Sequence, residues 1–282
     1  MNWNIKDLHE SHIKTDGMDI SWIHEDLKNS VFGKRIVYYE VIDSTNVQGK
    51  ELASAGATHG TIVITEEQLA GKGRLDRKWI SPRARNLMFS IVLRPDLEVD
   101  EVFFLTMLLA LSVRDALKEM LDVEAFIKWP NDIYVSGKKI GGILAEFSVC
   151  EKKVEYVIIG LGLNVNWHPE EEATVLYPCT SLMKETGFPV ERSSLLVEIL
   201  SRFEEKYHRG MAKKGAWAEF QKQWNECSYV LGKHIVIKNG RERIAGKAVS
   251  IDRKGALIIR DSLGKQRRVI GGDVSVESIQ TR

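Results

Sequence analysis

The runs AFIKWPNDIYV (Ala125–Val135), KIGGILAEFSV (Lys139–Val149) and VEYVIIGLGLNV (Val154–Val165) follow one another almost without a break. Each is apolar and rich in β-branched side chains, and turn signals at Pro130-Asn131-Asp132 and Gly137 punctuate them. Strands joined by connections this short favour antiparallel pairing. Upstream, LMFSIVLR (Leu87–Arg94), TIVIT (Thr61–Thr65) and RIVYYEV (Arg35–Val41) read as further strands, and Asp43 or Ser44 caps a helix that ends before Gly56. A long helix is expected from Glu101 to Leu121. Beyond it, Leu195, Leu196, Ile199, Leu200, Phe203 and Tyr207, then Trp217, Phe220 and Trp224, recur at helical spacing. The fold class is therefore α+β, a mixed and largely antiparallel sheet flanked by helices, over residues 34–228.

A different texture begins at Leu231. Short alternating runs separated by Asn239-Gly240, Lys254-Gly255 and Leu263-Gly264 carry hairpin chemistry and predict a small β-barrel over 231–282. Residues 1–33 are polar and weakly periodic, an N-terminal extension in which DISWIHEDLKNSVFG (Asp19–Gly33) offers one short helix.

Forty basic residues against 39 acidic ones leave a formal net charge of +1, so no global field draws the molecule to nucleic acid or membrane, and any basic function is local. The most apolar run, Val102–Val113, stops at Arg114-Asp115, short of the roughly 18 to 20 residues a bilayer span needs. Cys150, Cys179 and Cys227 are odd in number and lack zinc-site spacing, which points to a reducing compartment. With no signal peptide at the N-terminus, a cytoplasmic location and no membrane partner are expected.

Five short pieces carry chemistry. In AGKGRLDRKWISP (Ala70–Pro82), Gly71 and Gly73 can adopt positive φ and aim backbone N–H groups at an anion, while Lys72, Arg74 and Arg77 add charge. Arg74 can grip a carboxylate or phosphate with two parallel bonds. The alternative is a solvated basic turn. In KWPND (Lys128–Asp132), a strand delivers Lys128 next to Trp129 before Pro130 turns the chain away. Asn131 and Asp132 then suit a nucleotide or Mg²⁺ held through water. The alternative there is a plain strand end with Lys128 snorkelling outward. Gly141 and Gly142 interrupt a strand for a flat ligand or for a β-bulge. Gly160 and Gly162 have a similar meaning, and Asn164 beside them can read a base edge. Finally, Ser44, Thr45 and Asn46 at a helix start can bind a small polar group or simply cap the helix.

Taken in order, DSTN (Asp43–Asn46), QLAGKGRLDRKW (Gln68–Trp79), KWPND, KIGGILAE (Lys139–Glu146) and GLGLNV (Gly160–Val165) resemble the biotin protein ligases, and GGDVSV (Gly271–Val276) is similar to their C-terminal barrel. The resemblance spans about residues 34–282. It implies a class II synthetase-like catalytic domain followed by an SH3-like barrel. It also implies a two-step reaction, in which biotin and ATP, with Mg²⁺, give biotinyl-5′-AMP, and the biotinyl group then passes to a lysine of a biotin carboxyl carrier protein. By the same resemblance, Lys128 and Arg74 are catalytic. Ser44, Thr45, Asn46, Gln68, Lys72, Gly73, Gly141 and Gly142 join them in holding biotin, and Lys72, Arg74, Arg77, Trp79, Asn131 and Asn164 face ATP. Asp132 is the candidate for Mg²⁺. The basic loop is expected to be mobile until a ligand pairs its cations.

Two departures from the family pattern stand in that loop: Lys72 replaces an arginine, and Leu75-Asp76 replaces Arg-Gly. They bear on retention of the intermediate and on any homodimer formed through the loop. The rival within the same fold is a lipoate or octanoate ligase or transferase. A biotin-responsive repressor is the rival from another class, but about 33 residues before the catalytic domain are too few for a winged helix-turn-helix, so no DNA partner is expected.

Overall fold

Each apolar run from residue 36 to 163 forms a strand or a buried helix. The computed structural model describes residues 17–151, 153–169, 178–212, 216–240 and 242–276. The strands are β1 (Ile36–Ile42), β2 (Thr61–Gln68), β3 (Leu87–Leu93), β4 (Phe126–Lys128), β5 (Asp132–Val135), β6 (Lys138–Cys150) and β7 (Lys153–Leu163). They make one seven-stranded sheet in the order β1-β2-β3-β7-β6-β5-β4. Only β1 and β2 pair in parallel, as they must with a helix, α2 (Thr45–Ser54), crossing between them. The remaining pairs are antiparallel. A register shift at Ile133/Tyr134 is the β-bulge that the Gly141-Gly142 interruption allowed for.

The two faces of this sheet are covered unequally. One packs against α3 (Phe103–Leu121), α5 (Arg192–Ala212) and α6 (Ala216–Glu226), the short α4 (Leu182–Thr186) lying between α3 and α5 in the chain, with Phe89, Ile91, Ile159, Leu161 and Leu163 in the main core. The central part of α3 is buried all round, as its unbroken apolar run predicts. No described helix is long and apolar enough to cross a membrane. The other face carries α2, seated on Ile158 and Val92 through Ala53, and at Gly162 it lies against Trp79 of the basic loop. That difference in cover places the site.

Within the N-terminal extension, residues 18–32 pack onto the core. In α1 (Ile20–Asp26), the Asp19 carboxylate caps Trp22 N–H at 3.0 Å, and Ile23, Leu27 and Phe32 are fully buried. The Phe32 ring meets Phe203 and Tyr207 of α5 at centroid distances of 5.2 and 5.5 Å. A buried ion pair fixes this segment: Arg192 Nη1 lies 2.6 Å from Glu66 Oε2 and 3.0 Å from Asn86 O, and Glu66 Oε1 accepts from Met18 N–H at 2.6 Å. Residues 1–16 of the expected extension lie outside the described residues.

The C-terminal region forms a second sheet from β8 (His234–Asn239), β9 (Glu242–Ile251), β10 (Leu257–Arg260), β11 (Gln266–Val269) and β12 (Asp273–Val276). It is antiparallel, in the order β11-β10-β9-β8-β12. Gly240, Gly255 and Gly264 take φ of 60°, 78° and 80°, the conformation their hairpin turns require. This domain is bolted to the first: Trp129 Nε1 donates to Gly255 O at 2.8 Å, and Gly255 packs so tightly on Phe103 that a Cβ there would lie 2.1 Å from its ring.

Replacing Arg192 with Leu strands the Glu66 carboxylate in the core without its counter-charge. A loss of about 3–5 kcal/mol in urea unfolding is expected, and a loss below 1 kcal/mol would show that the pair contributes nothing beyond packing.

Candidate active site

Residues directly opposite one another in a sheet point to the same face, so the register lines up the site. Across the strands, Thr65 faces Met88, Met88 faces Gly162, Gly162 faces Gly142, Gly142 faces Asp132, and Asp132 faces Lys128. Two glycines in the middle of that row leave a floor without side chains just past the start of α2. The indole of Trp79 lies on it. A Cβ at Gly162 would sit 2.5 Å from Trp79 Cε2, so only glycine fits beneath the ring. One row deeper, a Cβ at Gly160 would come 2.0 Å from Asn46 Oδ1, and the missing side chain lets α2 sink onto the sheet.

Gly141 and Gly142 divide in role. A Cβ at Gly141 would meet Leu163 Cδ1 at 2.9 Å, which is contact between neighbouring strands, so Gly141 leaves no ligand space as expected of it. Gly142 faces the site, where its Cβ would reach Lys139 Nζ at 3.3 Å and Asp132 Oδ1 at 3.4 Å.

The DSTN corner sits at one end of the floor. Ser44 is the N-cap of α2 in extended conformation, yet its side chain makes no capping bond, so the hydroxyl is left for another partner. Gln68 Oε1 accepts from Thr45 N–H at 2.9 Å, which leaves the Gln68 amide nitrogen with the Met88 sulfur at 3.6 Å, a weak acceptor. Asn46 differs from the expectation: its Nδ2 donates to Glu146 Oε2 at 2.8 Å and to Leu144 O at 3.2 Å, and its Oδ1 accepts from Ser90 at 2.6 Å. Its amide is spent inside the protein, where it braces Thr45 through the shared Ser90 hydroxyl.

The cations gather at the other end, and here the structure corrects the reading of the loop. Gly71 and Gly73 do not take positive φ; Leu75 does, at 57°. Gly71 is needed for closeness, since a Cβ would lie 2.9 Å from Trp79 O. Gly73 N–H, expected to face an anion, donates to Arg77 O at 2.7 Å, and Trp79 N–H donates to Gly71 O at 2.8 Å, so the loop folds on itself as a small hairpin bridged at Lys72 and Lys78. Nor are its cations all waiting for a partner. Arg74 Nη1 donates to Asn131 Oδ1 at 3.3 Å, and Arg77, expected at ATP, pairs with Asp273 of the C-terminal domain. Burial pushes the Arg74 guanidinium below its ordinary value, while Asp132 and Asp273 counteract that shift. Lys72 is exposed.

Within KWPND, Lys128 Nζ donates to Tyr134 Oη at 3.0 Å. Asn131 Nδ2 donates to Ile143 O, so its amide supports Arg74 and the turn instead of standing free for a nucleotide. Asp132, expected to hold Mg²⁺, is paired with Lys139 Nζ at 2.6 Å. No group of three His, Cys, Asp or Glu side chains among the described residues could hold a metal. These residues do not fit a resident Mg²⁺ site, and the ion belongs with the phosphates of a nucleotide. Asn164 donates to Thr180 O at 3.0 Å, but its Oδ1 is buried without a partner, as is Trp79 Nε1. Sequence reading missed Ser90, Tyr134, Lys139 and Asp273.

A flat floor beside a cluster of cations suits a carboxylic acid being joined to a nucleotide, the work of an acid-activating ligase. Residues 38–164 match the model of the biotin/lipoate A/B protein ligase family, and residues 230–276 match that of the biotin protein ligase C terminal domain. The chain is 33% identical over 251 residues to the bifunctional ligase/repressor BirA of Bacillus subtilis, covering 89% of this chain and 76% of that protein. It is also 33% identical over 228 residues to the biotin–(acetyl-CoA-carboxylase) ligase of Paracoccus denitrificans, with 79% and 93% covered. Among solved structures, biotin protein ligase from Aquifex aeolicus in complex with biotin and ATP is similar at a TM-score of 0.72 and 30% identity, over 86% of this chain and 99% of that one. The chain therefore belongs to the biotin protein ligases.

Gly162→Ala forces a methyl into the Trp79 ring. The variant is expected to lose about 1–3 kcal/mol of stability and to shift the Trp79 indole N–H resonance; an unmoved resonance would show that the ring does not rest on this glycine.

Proposed function

We infer that this chain activates biotin with ATP and transfers it to a lysine of a biotin carboxyl carrier domain in a biotin-dependent carboxylase. The observation that supports this best is the row from Met88 to Lys128, in which two neighbouring glycines leave an open floor and a lysine stands at the end, in a member of this family. A biotin carboxylate oxygen attacks the α-phosphorus of ATP; the new P–O bond forms biotinyl-5′-AMP as the bond to pyrophosphate breaks. Two anionic groups must meet, so the step needs fixed positive charge between them. Lys128 supplies it, with Arg74 and Lys72 gripping the phosphate, and Mg²⁺ enters as the counter-ion of the ATP phosphates. The uncharged amine of the carrier lysine then attacks the acyl carbon. The C–N bond forms, the anhydride C–O bond breaks, AMP leaves and the amine loses its proton.

At the other end, the Ser44 hydroxyl, the Thr45 hydroxyl and the Gln68 amide recognise the ureido and acyl portions of biotin, and Gly142 gives the ligand room. Trp79 packs against the adenine and Asn164 Oδ1 accepts from its exocyclic amine. Cys150, Cys179 and Cys227, none of them in a disulfide, suit a cytoplasmic setting.

Mass spectrometry of the protein incubated with Mg-ATP and biotin, lipoate or octanoate tests the reading. Biotin alone is expected to give an acyl-adenylate that passes to a carrier domain, whereas an adenylate from lipoate or octanoate would reassign the substrate. Lys128→Ala is expected to slow adenylate formation at least a hundredfold, while Arg74→Gly forms the adenylate and releases it into solution. Wild-type synthesis by the lysine variant would remove Lys128 from its role.

A further inference from the structure

Lys128 is the third and last residue of a short strand, and a four-carbon side chain at such a place has many rotamers to choose from. Two contacts from one neighbour narrow the choice. The Tyr134 hydroxyl accepts from Lys128 Nζ at 3.0 Å, and the same ammonium lies 4.9 Å from the centroid of the Tyr134 ring. Hydrogen bond and cation–π attraction come from a single side chain, so moving the ammonium away loses both.

Tyr134 is itself held from outside the catalytic sheet. Its ring lies 4.9 Å from that of Tyr229, with the planes 33° apart. Tyr229 is in the segment that joins α6 to the C-terminal sheet, and this segment is stitched to the strand bearing Lys128: Ile127 N–H donates to Cys227 O and Tyr229 N–H to Ile127 O, both at 2.8 Å. Lys233 Nζ in turn stands 4.1 Å from the Tyr229 ring centroid. Lys128, Tyr134, Tyr229 and Lys233 thus form a chain of contacts that runs from the site into the junction between the domains. Burial, with help from the Asp132 carboxylate, pushes the Tyr134 hydroxyl up to about 12. It therefore stays neutral at physiological pH and keeps a lone pair for the ammonium.

We propose that Tyr134, seated on Tyr229 of the interdomain junction, is a positioning residue for adenylate formation, which aims the Lys128 ammonium at the point where carboxylate and phosphate meet. The proposal rests on the role given to Lys128 above. It requires that loss of the hydroxyl slow the reaction without weakening capture of either substrate, because Tyr134 acts through Lys128 and not on the ligands.

The test measures steady-state pyrophosphate release on the full chain with Mg-ATP, biotin and an excess of carrier domain, which discharges the adenylate at each turnover. Tyr134→Phe is expected to lower kcat about tenfold, with both KM values within twofold of wild type and Tm unchanged. Tyr229→Leu is expected to reproduce that loss in kcat, and Tyr229→Phe to restore it by keeping the ring. A wild-type kcat in Tyr134→Phe overturns the proposal. So does a fall in Tm accompanied by a joint rise in both KM values, which marks a structural residue. Lys128→Ala run in parallel separates the two claims. If it forms adenylate at the wild-type rate, the reading of Lys128 fails; if it is inactive while Tyr134→Phe is normal, only the positioning role fails.

Discussion

Glycine inside a strand sacrifices packing and costs backbone entropy, yet β7 carries two of them, at alternate positions on one face, where Gly142 of the neighbouring strand joins them. Everything on the open side of the sheet depends on those missing side chains. Without a Cβ at Gly160, Asn46 reaches Ser90, Leu144 and Glu146 and seats the start of α2. Without one at Gly162, Trp79 lies flat and closes the basic loop over the floor. The strand's other face shows the opposite logic: Ile159, Leu161 and Leu163 are large and buried, because there the sheet meets three helices. A single strand thus divides the molecule into a face that stabilises and a face that binds.

The charges follow a similar division. The deepest pair, Arg192 with Glu66, is nearly excluded from water and ties the N-terminal segment, β2 and α5 together. The charges near the floor are partnered more loosely, by neutral or half-exposed groups. Arg74 has an amide, Lys128 a phenol, and Lys139 a carboxylate that it shares with the field of Arg74. The amide and the phenol hold their cations in place without neutralising them, whereas Asp132 balances the charge of Lys139. Within the basic loop itself, Arg74 and Arg77 each have a partner inside the protein.

How much of this was legible in the sequence follows from how local each signal is. The strands and the buried helix could be read because their apolar runs are continuous, and the hairpin glycines because a tight turn needs positive φ within two residues. The glycines of the basic loop misled for the same reason. Their role is close approach to Trp79 and a short internal hairpin, while the left-handed residue is Leu75. Residues 18–32 looked polar because Met18, Ile23, Leu27 and Phe32 are their buried apolar side chains, spread thinly along the segment. Asp273 and Tyr229 lie far along the chain from the residues they touch, and no spacing rule joins them. Tyr134 was within reach, since Lys128 pairing with Asp132 across the turn puts Tyr134 on the same face.

Trp129 is next to Lys128 in the chain, and its indole N–H ends on the carbonyl of Gly255 in the C-terminal sheet. The residue that delivers charge to the floor and the residue that fastens the second domain are therefore consecutive, with their side chains on opposite faces of one short strand end. A chain cut between the domains would expose a large ring and remove its hydrogen bond to Gly255, one peptide away from Lys128. The small domain is thus a foundation of the site, not a module that could be exchanged between proteins, and a designer transplanting the catalytic sheet would have to carry the second sheet with it.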